Sequence, residues 1–97
     1  MLTSKQRAYL RALANSLTPI FQIGKSGVTE ETCFQLSNAL EARELIKVSV
    51  LETAPYTARV AADALADALD CDVVAVLGNR MVLYRPSDKK KTIELPR

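Results

Sequence analysis

Ile20-Phe21-Gln22-Ile23-Gly24-Lys25-Ser26-Gly27-Val28-Thr29 decides how the whole chain is read. It opens as a short apolar strand, breaks at one glycine, and reaches a second glycine three residues later. Thr29 then offers a helix N-cap, with Glu30 and Glu31 in the first turn, where the helix dipole favours acids. A strand that passes into a helix through a four-residue bend is the start of a β-α unit. Glycines admit turns closed to other residues and remove side chains that would hold an anion away. Free N–H groups of the bend and of the helix start then face outward as anion donors. Lys25 adds a mobile positive charge, and Ser26 a hydroxyl. Gly24-Lys25-Ser26 also matches the end of a nucleotide-binding P-loop, but that motif needs a glycine five residues before Gly24, where Pro19 stands.

Upstream, Thr3 and Gln6 form a capping box opening a helix over Ser4–Ser16. Leu10, Leu13 and Leu17 form its apolar stripe with Gln6 and Tyr9 flanking, and Arg7 and Arg11 project away from it. Pro19 ends this segment. Downstream of Thr29, the buried face of the second helix is Cys33, Leu36, Ala39 and Leu40, and Phe34 falls on the far side. Ile46-Lys47-Val48-Ser49-Val50 alternates with period two and reads as a strand with one apolar and one polar face. Lys47 and Ser49 then face solvent or a helix flank. Pro55 is placed near the first position of a third helix running to Leu69, with Ala58, Ala61, Ala62, Leu65, Ala68 and Leu69 on one side. Val73–Leu77 and Met81–Tyr84 flank Gly78-Asn79-Arg80 as a hairpin. Thr92–Pro96 is expected to pack back as an extended strip. The order α-β-α-β-α-β-β makes an α/β fold whose first three strands run parallel and whose last runs antiparallel.

Ninety-seven residues, 48% hydrophobic and 25% charged, suit one small soluble domain spanning residues 1–97, with a basic turn and tail at 87–97. No apolar run approaches the ~18 residues needed to span a bilayer, and the first residues do not read as a secretion signal. With no His in the chain, His-based catalysis and His-containing zinc sites are excluded. Cys33 and Cys71 lack paired ligand spacing and are expected to be core residues in a reducing cytoplasm. Neither a cofactor, a metal nor a small-molecule substrate is implied, and a monomer is expected. The net charge of +2 is unevenly laid out. Residues 1–29 carry four basic groups and no acid, the centre is acidic, and residues 80–97 hold Arg80, Arg85, Lys89, Lys90, Lys91 and Arg97 against Asp88 and Glu94. If folding brings the two ends together, one face turns positive, which suits a polyanion.

Three separated motifs also resemble one family. They are Gly24-Lys25-Ser26-Gly27-Val28-Thr29, Ala39-Leu40-Glu41-Ala42-Arg43-Glu44-Leu45-Ile46-Lys47-Val48 and Gly78-Asn79-Arg80-Met81-Val82-Leu83-Tyr84-Arg85-Pro86. They resemble the CRM domain (chloroplast RNA splicing and ribosome maturation), in particular its stand-alone bacterial YhbY-like members, and the likeness extends to Ile93-Glu94-Leu95-Pro96. It implies a four-stranded mixed sheet backed by helices, similar to the C-terminal domain of the third translation initiation factor. It also implies binding to structured RNA, with bacterial members acting on precursors of the large ribosomal subunit. On that resemblance Gly24, Lys25, Ser26 and Gly27 form the RNA-contacting loop. Position 43, often His in such proteins, is Arg43 here.

The expected interface is therefore this loop, extended by Arg7 and Arg11 from the first helix and by Arg80, Arg85, Lys89, Lys90 and Lys91 from the other end. With no Trp and Phe21 turned to the core, a stacking platform on the sheet face is not expected. Recognition then rests on backbone and shape, with strong salt dependence. Two other readings compete. A protein–protein adaptor would use the acidic centre or Phe34. A phosphoryl-transfer enzyme would need carboxylates organised as base and metal ligands, and Glu30, Glu31 and Asp88 form no such constellation.

Overall fold

The computed structural model describes residues 2–89 and 91–97. Its elements are α1 (Ser4–Ala14), β1 (Phe21–Ile23), α2 (Glu30–Arg43), β2 (Leu45–Val50), α3 (Ala58–Leu69), β3 (Asp72–Leu77) and β4 (Arg80–Tyr84). This is the α/β order read from the sequence. The sheet runs β1-β2-β4-β3, with β1 parallel to β2 and β4 antiparallel to both neighbours. The hairpin strand thus inserts between β2 and β3.

The sheet is covered on both faces. Ile46, Val48 and Val50 of β2 and Met81 and Leu83 of β4 pack against Leu36 and Leu40 of α2 and the alanines of α3. Ala61 and Ala62 are fully buried, since their small side chains bring α3 close to the sheet. Ala68, placed on that face by its spacing, is exposed. On the opposite face Leu45, Val74, Val82 and Tyr84 meet Leu10 and Ala14 of α1, with Leu2, Leu17, Ile93 and Leu95 packed around them. The face of β2 expected to be polar therefore lies under a helix, and Ser49 is buried.

Local signals explain most element ends. The Thr3 hydroxyl accepts from the Gln6 amide (3.1 Å) and the Gln6 side chain accepts from the Thr3 amide (3.0 Å), which makes the capping box. Two expectations shift. The buried stripe of α1 runs through Leu10 and Ala14, leaving Leu13 37% exposed, because residues four apart stack over the sheet. The third helix begins after Thr57, whose hydroxyl accepts from the Val60 amide (3.3 Å), so Pro55 lies in the preceding loop.

The two ends of the chain meet, and the C-terminal strip packs back on the sheet. The Gln6 side-chain amide donates to the Pro96 carbonyl (3.0 Å), and Ile93 and Leu95 close over the α1 side of the sheet. This strip is held by Glu44, which turns the chain from α2 into β2 at φ 66° and is fully buried. Its carboxylate accepts the amides of Ser87 (2.8 Å), Thr92 (2.6 Å) and Ile93 (2.9 Å) and the Thr92 hydroxyl (3.0 Å). Burial opposes the charge, but these donors outweigh it and hold the carboxyl below its ordinary value of 4.5.

Because the unfolded chain titrates at the ordinary value, this stabilisation is complete above about pH 4.5 and is lost as pH falls through the lower folded value. Glu44→Gln, which points an amide N–H at several donors, is expected to cost about 2–3 kcal/mol at pH 7. The urea midpoint reads this directly, and the gap to wild type should narrow below pH 4.5.

Candidate nucleic-acid interface

Three connections gather at one end of the sheet: the bend after β1, the loop after β2 and the β3–β4 hairpin. The Leu51 amide donates to the Ile23 carbonyl (2.9 Å) and the Val50 amide to the Asn79 carbonyl (2.7 Å), tying the three together.

Within the bend, the Gly27 amide donates to the Gly24 carbonyl (2.9 Å) and closes a tight turn. Gly27 is buried at φ 70°, and a Cβ there would lie 2.9 Å from Tyr56 Cζ and 3.1 Å from Pro55 Cγ. Tyr56 stands beneath the turn and its hydroxyl accepts the Val28 amide. Two of the amides expected to face an anion are thus spent on the protein itself. At the helix start Thr29 Oγ1 accepts from the Thr32 amide (3.1 Å), and Glu30 and Glu31 place acidic side chains in the first turn. At the tip of the turn Lys25 and Ser26 are exposed. Gly24 plays a smaller steric part, since a Cβ there would meet Leu51 Cδ1 at an ordinary 3.6 Å.

The other basic residues expected at the interface divide into three groups. Arg11 and Arg80 line one cleft of about 760 Å³ between α1 and the sheet, and Lys47 joins them. Arg80 opens β4 at the hairpin, hence at the turn's end of the sheet; β1 and β4 are two strand spacings apart, about 10 Å. Arg7 and Arg85, by contrast, are tied to the protein's own carbonyls. Arg7 donates to the Val73 carbonyl and to that of Val74 (3.0 Å), on the outer strand β3 where its pairing with β4 is irregular. The irregularity leaves carbonyls on a sheet edge that a charged side chain can satisfy. Arg85 donates to the Leu69 carbonyl (3.1 Å) and the Ser37 carbonyl (2.9 Å), joining the end of α3 to α2. Both guanidinium groups are thus engaged, at least in part, by the protein itself. Lys89 and Lys91 belong to the third group. They are exposed beyond β4, at the Glu44 end of the sheet, where the Asp88 amide donates to Glu41 (3.2 Å). That end lies a β2 length from the turn, about 17 Å. Lys90 lies outside the described residues.

Phe34 is 65% exposed on α2, on the side expected. Cys71 is a structural thiol: burial, partly offset by Arg85, pushes its pKa up to about 11, and its Sγ faces the Leu65 carbonyl. Among the described residues no helix is long and apolar enough to cross a membrane. Sequence reading missed Tyr56 and Lys47. The short distance from Pro55-Tyr56 to the third helix was a signal for the first. For Lys47 the alternation of β2 gave a face toward solvent or a helix flank, but not the cleft that it lines.

A glycine turn set at the end of a mixed sheet, between helices on both faces, places this chain in a known class. It belongs to the CRS1/YhbY (CRM) domain family, whose model matches residues 2–85. Among its relatives, the Bacillus subtilis (strain 168) protein named "Probable RNA-binding protein YqeI" is 49% identical over 96 residues, covering 99% of this chain and all of that one. A Haemophilus influenzae protein named "RNA-binding protein" is 38% identical over 96 residues, covering 99% of this chain and 96% of its own length. The solution structure of the Staphylococcus aureus protein SAV1595, described as a candidate RNA binder, superposes with a TM-score of 0.82 at 47% identity. It covers 99% of this chain and 100% of that one.

The two glycines should respond differently to substitution. Gly27→Ala is expected to lose about 2 kcal/mol through its positive φ and the displacement of Tyr56, while Gly24→Ala stays within about 0.5 kcal/mol of wild type in a thermal melt. Arg7→Ala should cost about 1–2 kcal/mol in the same assay, as the outer strand loses its charged donor.

Proposed function

We propose that this chain is a non-enzymatic RNA-binding protein, acting as one unit over residues 1–97 in the cytoplasm. On this reading it contacts ribosomal RNA in precursors of the large subunit. The observation that carries the proposal is the turn at Gly24–Gly27. It is closed by its own hydrogen bond and propped by Tyr56, so Lys25 and Ser26 are held outward at its tip. A fixed tip carrying an ammonium and a hydroxyl is suited to an RNA phosphate, a contact that sets position without reading bases. Arg11 and Arg80 add positive charge in the cleft between α1 and the sheet, with Arg80 at the same end of the sheet as the turn. The names of the relatives support the RNA partner, and the likeness to ribosome-maturation CRM proteins supports the ribosomal one.

A second reading has one observation behind it, the exposure of Phe34 on α2. It makes the chain a protein–protein adaptor, and predicts an association that survives nuclease and disappears in Phe34→Ser.

For the leading reading, wild type and Lys25→Glu are compared for cosedimentation with pre-50S particles. The variant should be depleted from the particles by about tenfold, and the logarithm of affinity should fall linearly with the logarithm of salt. Equal cosedimentation of the two proteins, or a flat salt response, would remove the turn from the mechanism.

A further inference from the structure

The cleft between α1 and the sheet has a chemistry of its own. Arg11 from α1, Lys47 from β2 and Arg80 from β4 bring three cations to its walls, and none of its lining residues is acidic. Its floor is apolar and built from short side chains, chiefly Ala12, Ala75 and Val82, with Leu77 at the hairpin end 74% exposed. The pairing irregularity in β3 accounts for part of this floor. Val73 pairs with Leu83 and Ala75 with Val82, so both Val74 and Ala75 face α1, the first under the helix and the second in the cleft. A volume of about 760 Å³ lies in the range of sites that take small organic groups.

Cations around an apolar floor select a ligand that joins anionic and flat apolar parts. A duplex keeps its bases stacked inside and would offer such a cleft only phosphates at the rim. An unpaired nucleotide offers a phosphate and an exposed base at once, and a guanidinium plane can stack on that base where no aromatic ring is at hand.

We infer that the α1–sheet cleft seats one unstacked nucleotide of a single-stranded RNA segment, its phosphate against Arg11, Lys47 and Arg80 and its base on the Ala12–Ala75–Val82 floor. The inference rests on the RNA-binding reading above and specifies the RNA: one that carries an unpaired stretch beside the element met by the turn. It also gives Lys47 a role. Lys47 is half-buried and lines the cleft, and a long stem of this kind lies along apolar surface while its charged end stays in water.

The test is fluorescence anisotropy with two labelled probes, a mixed-sequence hexaribonucleotide and a blunt 12-base-pair RNA duplex. Ala12→Trp fills the cleft from an exposed helical position, and Lys47→Met removes the charge while keeping the stem. Each is expected to weaken hexamer binding about tenfold, Ala12→Trp by excluding the base and Lys47→Met by removing a phosphate contact, while duplex binding changes less than about twofold. Lys25→Glu should weaken the duplex. If both cleft variants hold the hexamer as wild type does, while Lys25→Glu loses the duplex, the cleft inference is overturned and the RNA reading survives. A wild type that binds the duplex but not the hexamer overturns it in the same way, as does polyglutamate that displaces the hexamer as well as unlabelled hexamer does. A wild type that binds neither probe overturns both proposals. Circular dichroism of both variants confirms the fold, and loss of fold in Ala12→Trp leaves Lys47→Met to decide.

Discussion

The central strand pair, β2 with β4, is buried on both faces, and most of the molecule follows from that constraint. One face is met by α2 and α3, which supply the larger core. The other needs a second layer, and α1 alone is too short to provide it. The remainder comes from the C-terminal strip, with Ile93 and Leu95 beside Leu10 and Tyr84. Extended chain has no helix to satisfy its amides, so something must accept them. Glu44 does so for Ser87, Thr92 and Ile93. A buried carboxylate is costly unless it is surrounded by donors, and here the donors belong to the segment that needs an acceptor.

Coverage by α1 is also incomplete, and the uncovered part lies toward the hairpin. That end of the sheet gathers the glycine turn, Arg80 and the cleft, whereas the opposite end holds Glu41, Glu44 and the basic turn around Lys89. The positive charge of the two chain termini, expected to merge into one face if the ends meet, is divided by the length of the sheet. Two of its members, Arg7 and Arg85, hold the scaffold together through carbonyls of β3, α2 and α3.

How much of this could be read in the chain depended on whether a signal was local. The order of elements, the capping box of Thr3 and Gln6, the outward position of Phe34 and the returning strip at Thr92–Pro96 are all written in short spacings or end signals. The Gly24–Gly27 bend was equally visible. What stayed hidden was set by distant partners. Periodicity showed that Arg7 leaves the buried stripe of its helix, but not that the edge of β3 lies where it points. The acceptor role of Glu44 depends on amides more than forty residues away. Lys47 reads as facing solvent or a helix flank, and its place in a cleft appears only when α1 is set against the sheet. Gly27 shows both kinds of signal: its place in a bend was plain, while its contact with Tyr56 belongs to a loop in the next β-α unit.

Tyr56 has a consequence for how tightly the turn can hold anything. A flexible glycine loop gives up its freedom when it closes on a ligand, and that loss is subtracted from every contact made. Here the backbone of the turn has already surrendered it during folding, to the Gly24 carbonyl and to a phenol beneath. On the proposed contact, only the exposed side chains of Lys25 and Ser26 remain to be ordered. The turn is thus preorganised, and a short contact surface can retain more of its gross attraction as net affinity.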